Sequence, residues 1–472
     1  MRRRRLLGAL AGAPWVRAAA AEPPAARWLD AAGRPNTDAR AAVALLVDAA
    51  RHGLDPADYQ AAARQRSRDA GAPVQGFEAA LDAALLRWLN DLHGGRVVPT
   101  DLRHHYREPL LQRFDAQAVL EAALARHDVP GAARSAAPAL PLYERMRAAL
   151  ARYRALGAPS AWQRALPPLP APSRKVEPGQ AWTGVALLAE RLSALGDLPA
   201  DAPRSTDDRL AGARVDAVRA FQLRHGLDAD GVLGRATAAA LEVPPARRVR
   251  QLELALERLR WTPLLRAPRM IVVNIPEFVL RAYEVQPDGR VQVRLESRVI
   301  VGKALDTRTP LLEEEMRHIE FQPYWNVPPS IARKELVPRL RREPGYWARE
   351  GFEFVGAAGA GDPVLGDAKL QAVLDGRLRI RQRPGVRNAL GDIKFVFPNR
   401  ESIYLHHTPS VGLFARPRRD FSHGCIRVEQ PEALAVFALE GVPGWDEARV
   451  RHAMGDDELP STVRLSRPIP VP

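Results

Sequence analysis

The stretch Phe421-Ser422-His423-Gly424-Cys425-Ile426-Arg427-Val428 holds the only cysteine of the 472-residue chain, and Tyr404-Leu405-His406-His407 lies just upstream. A thiol, imidazoles and a guanidinium gathered this closely can do acyl chemistry. A cysteine nucleophile needs a base within hydrogen-bond reach and backbone N–H groups for the developing oxyanion. Gly424 admits close approach of the backbone to a substrate, and His423, Arg427 and the upstream histidines are expected to lower the thiol pKa. The bland alternative is a small buried hydrophobe, and the basic surroundings argue against it.

Other chemistries find little footing. No phosphate-loop or zinc spacing occurs, so neither a metal nor an organic cofactor is expected. His93, His104 and His105 lack the cysteines or tight carboxylate spacing of a metal site. The formal net charge is +14, but beyond Arg2 to Arg5 the arginines are scattered among acids and alanines. That pattern reads as solvated faces rather than a nucleic-acid surface, though it favours an anionic polymer as partner. A single cysteine excludes an intrachain disulfide.

His406, fifteen intervening residues, then SHGCIR at 422–427 resembles the signature of the L,D-transpeptidases, the YkuD-type catalytic domain. Longer blocks resemble the large multidomain, YcbB-like branch of that family: IVVNIP at 271–276, VGK at 301–303, YWNVP at 324–328 and NALGDIKFVFPN at 388–399. The likeness runs from about Trp261 almost to the C-terminus. It implies Cys425 as nucleophile, His406 as general base and the His407 carbonyl as the group that orients the imidazole. The N–H groups of Gly424 and Cys425 become the oxyanion donors. The implied reaction joins peptidoglycan stem peptides through a cysteine acyl-enzyme, with a crosslink between third residues. Arg427 suits a substrate carboxylate, with a structural ion pair as its competing role. Ser422, His423, Tyr404 and Trp325 are the remaining substrate-binding candidates, and His423 also competes as base. Water or a protein lysine could replace the acceptor amine, and a non-catalytic wall-binding protein is a further reading. Peptidoglycan stems and glycan are the implied partners, alongside other cell-wall enzymes, with no nucleic acid and no transmembrane span.

The elements that must position these groups form a multidomain α+β chain. Length suggests about three domains. Residues 1–21 read as a signal peptide, with an arginine-rich start, a short apolar run and A-x-A sites; a periplasmic destination follows, with an uncleaved anchor as alternative. Residues 22–166 show apolar helical periodicity and resemble the branch's helical scaffold. A proline-rich linker spans 167–180. At 181–245, AVRAFQ followed by HGLDADGVLG resembles a small three-helix peptidoglycan-binding domain, with Phe221 and Leu227 expected in its core. A connecting helix covers 246–268. Residues 269–445 read as a mostly antiparallel β-sandwich, the catalytic domain, in which a short strand brings His406 to the sheet edge. The strand pattern breaks at about 330–382, read as a helix and a Gly- and Ala-rich loop: a lid over the site or a passive excursion. Residues 446–472 are expected to be a tail, ending short of the further strand the branch usually carries.

Overall fold

A computed structural model describes residues 27–69, 76–97, 114–202, 207–261, 267–288, 290–455 and 458–472. The segment read as a signal peptide, His104 and His105 lie outside them. The chain divides into two compact units, the first made of residues up to 50, 55–89 and 115–136. In it Leu81, Leu85 and Trp88 recur at helical spacing along the helix Phe77–Gly94 and are fully buried. Trp28 is pinned to that helix: its backbone N–H donates to Glu78 Oε1 (2.8 Å) and its indole N–H to Asp82 Oδ1 (2.9 Å).

The second unit takes up residues 51–54, part of the stretch 90–114, and the main run from Ala137 onward. Its helix Pro141–Ala155 packs along Pro245–Trp261. Arg154 Nη2 donates to Glu253 Oε1 at 2.7 Å across the pair. Within the same unit His93 stacks on Phe114, ring centroids 4.1 Å apart.

Three helices follow, Val185–Leu195, Ala213–Arg224 and Arg235–Glu242. The first is closed by Gly196 in the left-handed region (φ +79°), a conformation that costs glycine least. Leu188, Leu192, Val218, Phe221 and Leu241 form the core. Leu227 departs from expectation and stays half-exposed. The proline-rich stretch is not a spacer. Leu166 and Leu169 pack against the same core, and Trp182 Nε1 donates to the Pro168 carbonyl (3.1 Å). Leucines set among the prolines gain more from burial than the segment would as a free strut.

The β-rich domain holds nine strands of one sheet. They are β1 (Arg269–Asn274), β2 (Val279–Val285), β3 (Val291–Gly302), β4 (Glu314–Phe321), β9 (Ile393–Val396), β10 (Leu405–His406), β11 (Asp420–Ser422), β12 (Ile426–Val428) and β13 (Ser461–Val471). The insertion between β4 and β9 contributes β5 (Trp325–Asn326), β6 (Phe352–Val355), β7 (Gly361–Asp362) and β8 (Arg379–Gln382). The main order is β1-β2-β3-β12-β10-β9-β4-β13, with β11 beside β3. Pairing is antiparallel except β10 with β12 and β11 with β3. The sheet curls until β1 and β13 lie together, and Ile271, Leu280, Phe395, Leu405, Val428 and Ile469 share one core inside it.

Two expectations are corrected here. Residues 446–472 are no loose tail: helix Glu447–Ala453 leads into β13, which pairs with β4. Pro468 falls where the β13–β4 register breaks, between Arg464 and Ile469, and an edge strand tolerates proline there. The insertion also holds more than the helix and loop expected of it. β5, β8, β6 and β7 form a second sheet, and its helices close a separate core of Val327, Leu336, Leu340, Trp347, Phe354 and Ile380. Its strands are only two to four residues long, too short for alternation to reveal them in the sequence.

Candidate active site

Strand alternation assembles the site. Successive side chains point to opposite faces, and Leu405, Ile426 and Val428 face the core. His406 and Arg427 therefore share the other face, with Tyr404 and Cys425 preceding the two strands. The parallel register pairs Leu405 with Ile426 and His406 with Arg427, and the Ile426 N–H donates to the Tyr404 carbonyl (3.0 Å). Cys425 thus stands beside Tyr404 and diagonal to His406. The strand carrying the histidine is not at the sheet edge, as expected, but in its interior between β9 and β12. An interior strand is held on both sides, which fixes the imidazole more firmly.

His406 is buried, and its Nδ1 bonds the His407 carbonyl. A carbonyl can only accept, so Nδ1 carries the proton and Nε2 keeps its lone pair. Burial, helped by Arg427, pushes the imidazole pKa down to about 3. The ring is neutral at physiological pH, with its lone pair on Nε2. His407 itself donates from Nδ1 to Asp392 Oδ1 (2.8 Å), which fixes the peptide whose carbonyl holds His406.

The thiol corrects a sequence expectation. Burial raises the Cys425 pKa, and the lowering effects of Tyr404, Lys394 and Arg427 do not offset it. Its Sγ donates to the Ser402 carbonyl at 3.7 Å and makes no hydrogen bond to His406. The resting pair is a thiol and a neutral imidazole. Tyr404 contacts the thiol, and the Trp325 indole bonds the Tyr404 hydroxyl. Trp325 lies on β5, so the insertion's sheet reaches the site through that bond.

The turn before β12 is rigid. Gly424 sits at φ +121°, a region open essentially to glycine. Ser422, placed among the substrate-binding candidates, is instead buried and builds the turn: its Oγ donates to the Cys425 carbonyl (2.5 Å) and accepts the Gly424 N–H (3.2 Å). Gly424 therefore has its N–H engaged in the resting turn. Buried Thr309 accepts the Gly302 N–H (2.9 Å) and donates to the Gly424 carbonyl (2.7 Å). His423 points away from the thiol, its Nε2 bonded to Glu335 Oε1 of the insertion at 2.7 Å. That removes it as a rival base.

Arg427 is mostly buried, its Nε has no hydrogen-bond partner, and no acidic side chain among the described residues pairs with it. Burial depresses its pKa, opposed only by the nearby thiol. The structural ion pair considered for it is absent. Asp392 and Lys394 were not foreseen as site residues. Both flank Ile393 and precede Phe395, two core residues, so period-2 alternation in that block carried the signal. Lys394 lies opposite His406, its ammonium 4.7 Å from the Tyr404 ring and 3.0 Å from Glu320 Oε2.

Residues 268–445 match the family described as L,D-transpeptidase catalytic domain. This chain carries an L,D-transpeptidase catalytic domain. Residues 22–150 match a family described as scaffold domain, and 183–241 one described as "putative peptidoglycan binding domain". A Haemophilus influenzae protein named "putative L,D-transpeptidase" is 34% identical over 203 residues, 42% of this chain and 39% of that protein. The alignment thus spans less than half of either protein. Among the described residues, no helix is long and apolar enough to cross a membrane, and no cluster of three or more His, Cys, Asp or Glu is placed to hold a metal.

Proposed function

We propose that this transpeptidase crosslinks third residues of peptidoglycan stem peptides through a thioester on Cys425, in the periplasm. The observation that carries the reading is the placement of neutral imidazole and unpaired guanidinium on one face of two adjacent parallel strands, with the thiol at the residue before the second strand. In acylation His406 Nε2 takes the thiol proton while Sγ attacks the carbonyl of the third residue's L-centre. The C–N bond to the terminal D-alanine breaks, and the imidazolium returns its proton to the leaving amine. In transfer the acceptor's side-chain amine attacks the thioester, gives its proton to His406 and frees the thiol.

An imidazole held neutral suits the base role, because a histidine already protonated could not accept the thiol proton. The Cys425 N–H is the oxyanion donor of choice, while the Gly424 N–H can join only by leaving Ser422 Oγ. Arg427 pairs with a donor carboxylate, which gives the buried cation the partner it lacks. The insertion, tied to the site through Trp325–Tyr404 and Glu335–His423, acts as a lid that favours the acceptor amine over water.

The test is incubation with a purified tetrapeptide donor and an acceptor stem, with products and intact protein resolved by mass. Crosslinked dimer is expected, together with a carbapenem adduct on wild type and none on Cys425→Ala. Tripeptide as sole product would make the enzyme an L,D-carboxypeptidase. An unmodified wild-type protein would leave a wall-binding scaffold.

A further inference from the structure

Between the three-helix domain and the transpeptidase domain lies a cavity of about 860 Å³, within the ~300–1,000 Å³ range of small-molecule sites. Its floor is apolar, made by Leu227, Val232, Phe278 and Pro417. This accounts for a Leu227 left out of the core. The charges on its walls are divided. On the transpeptidase side stand Arg308 and Arg416, both exposed and, among the described residues, without an acidic partner; Arg418 is already paired with Asp420 (2.7 Å). On the three-helix side Asp228 has no cationic partner among the described residues, whereas Asp230 is used by its turn, accepting from Gln222 Nε2 and the Val232 N–H at 2.9 Å each. Arg235 completes that wall.

We propose that this cavity binds a second stem-peptide segment of peptidoglycan, with carboxylates on Arg308 and Arg416 and the free amine of the diamino residue on Asp228. The inference rests on the reading of peptidoglycan as substrate. A zwitterionic peptide matches this division of charge, whereas a polyphosphate or other pure anion would leave the Asp228 carboxylate without a cation. The site shares a wall with the catalytic turn: Gly302 and Phe421 line it, and Gly302 packs against Gly424. A stem held here keeps a neighbouring stem of the same polymer close to Cys425, which raises its effective concentration.

The experiment uses full-length Cys425→Ala protein and a disaccharide-tetrapeptide probe carrying a free diamino-acid amine, with binding followed by calorimetry. Arg308→Ala/Arg416→Ala should weaken binding about tenfold or more, the scale of losing charge-assisted hydrogen bonds. Asp228→Asn should weaken it a few-fold, and N-acetylation of the probe amine should abolish that sensitivity. Arg467→Ala, an exposed arginine elsewhere on the domain, should change nothing. Undetectable binding, indifference to the arginine pair, or an equal loss with Arg467→Ala would overturn the proposal. Wild-type protein is tested in parallel for thioester formation with the same probe. No thioester with arginine-dependent binding would sink the catalytic reading and keep the cavity; a thioester with arginine-independent binding would do the reverse.

Discussion

Replacing Arg427 by methionine should make the protein more stable and less active at the same time. The guanidinium is mostly buried, its Nε is unsatisfied and no carboxylate among the described residues neutralises it. An unsatisfied buried donor costs about 1–3 kcal/mol, and apolar replacement of buried charges is often neutral or stabilising. Because the side chain keeps some solvent contact, a gain near the low end is expected, about 1 kcal/mol in urea unfolding. In catalysis the same change removes a charge-assisted bond to the donor carboxylate, worth about 1.5–3 kcal/mol, or roughly 10- to 100-fold in kcat/KM. The loss should fall on donors with a free carboxylate and vanish for amidated ones, which already lack the partner. Stopped assays with both donors, beside unfolding curves, separate the two effects. A variant destabilised by several kcal/mol, or equally impaired on amidated donors, would show that Arg427 holds the fold and refute the reasoning.

Three further outcomes are expected. Burial holds His406 and His52 near pKa 3 in the folded chain, against about 6.5 when unfolded. The unfolded chain binds more protons between those values, so stability falls as pH drops from 6.5 toward 3, by up to ~1.4 kcal/mol per pH unit for each histidine. Unfolding of wild type and His52→Asn at pH 7, 6 and 5 checks this, and equal slopes would contradict it. A Cβ on Gly302 would overlap the Thr307 carbonyl and press on Gly424, so Gly302→Ala should cost about 3 kcal/mol or more; thermal unfolding and adduct formation by mass read both effects. Asp392→Ala frees the His407 side chain and loosens the carbonyl that holds His406, so kcat should fall about tenfold with KM little changed. Partial rescue by Asp392→Asn would mark it as a positioning residue.

The family likeness and the grouping of the candidate residues were legible because the motif blocks are short and continuous. His406 and Arg427 lie on neighbouring strands, and alternation around Leu405 and Ile426 already implies a common face. The resting state of the thiol was not legible. Nearby basic residues pointed to a lowered pKa, yet His423 turns to Glu335 and desolvation outweighs Arg427 and Lys394. Sequence proximity gives no direction to a side chain and no measure of burial. The insertion's fold was hidden for another reason: two- to four-residue strands carry no period, and the Gly- and Ala-rich stretch read as a loop is a connection between β6 and β7. The tail concealed a strand because prolines at 468 and 470 mimic a terminator, although an edge strand admits them.

The insertion enters and leaves the main domain side by side. Trp325 pairs with Gln382, and the Val327 N–H donates to the Ile380 carbonyl (2.9 Å), so a two-stranded neck carries everything beyond it. With a hydrophobic core of its own above that neck, the segment has the build of a cassette. A short hairpin could be spliced across the neck with the main sheet untouched, and roofs from other proteins could be grafted onto the same chassis. Chimeras of that kind would test the proposal that the insertion selects the acceptor.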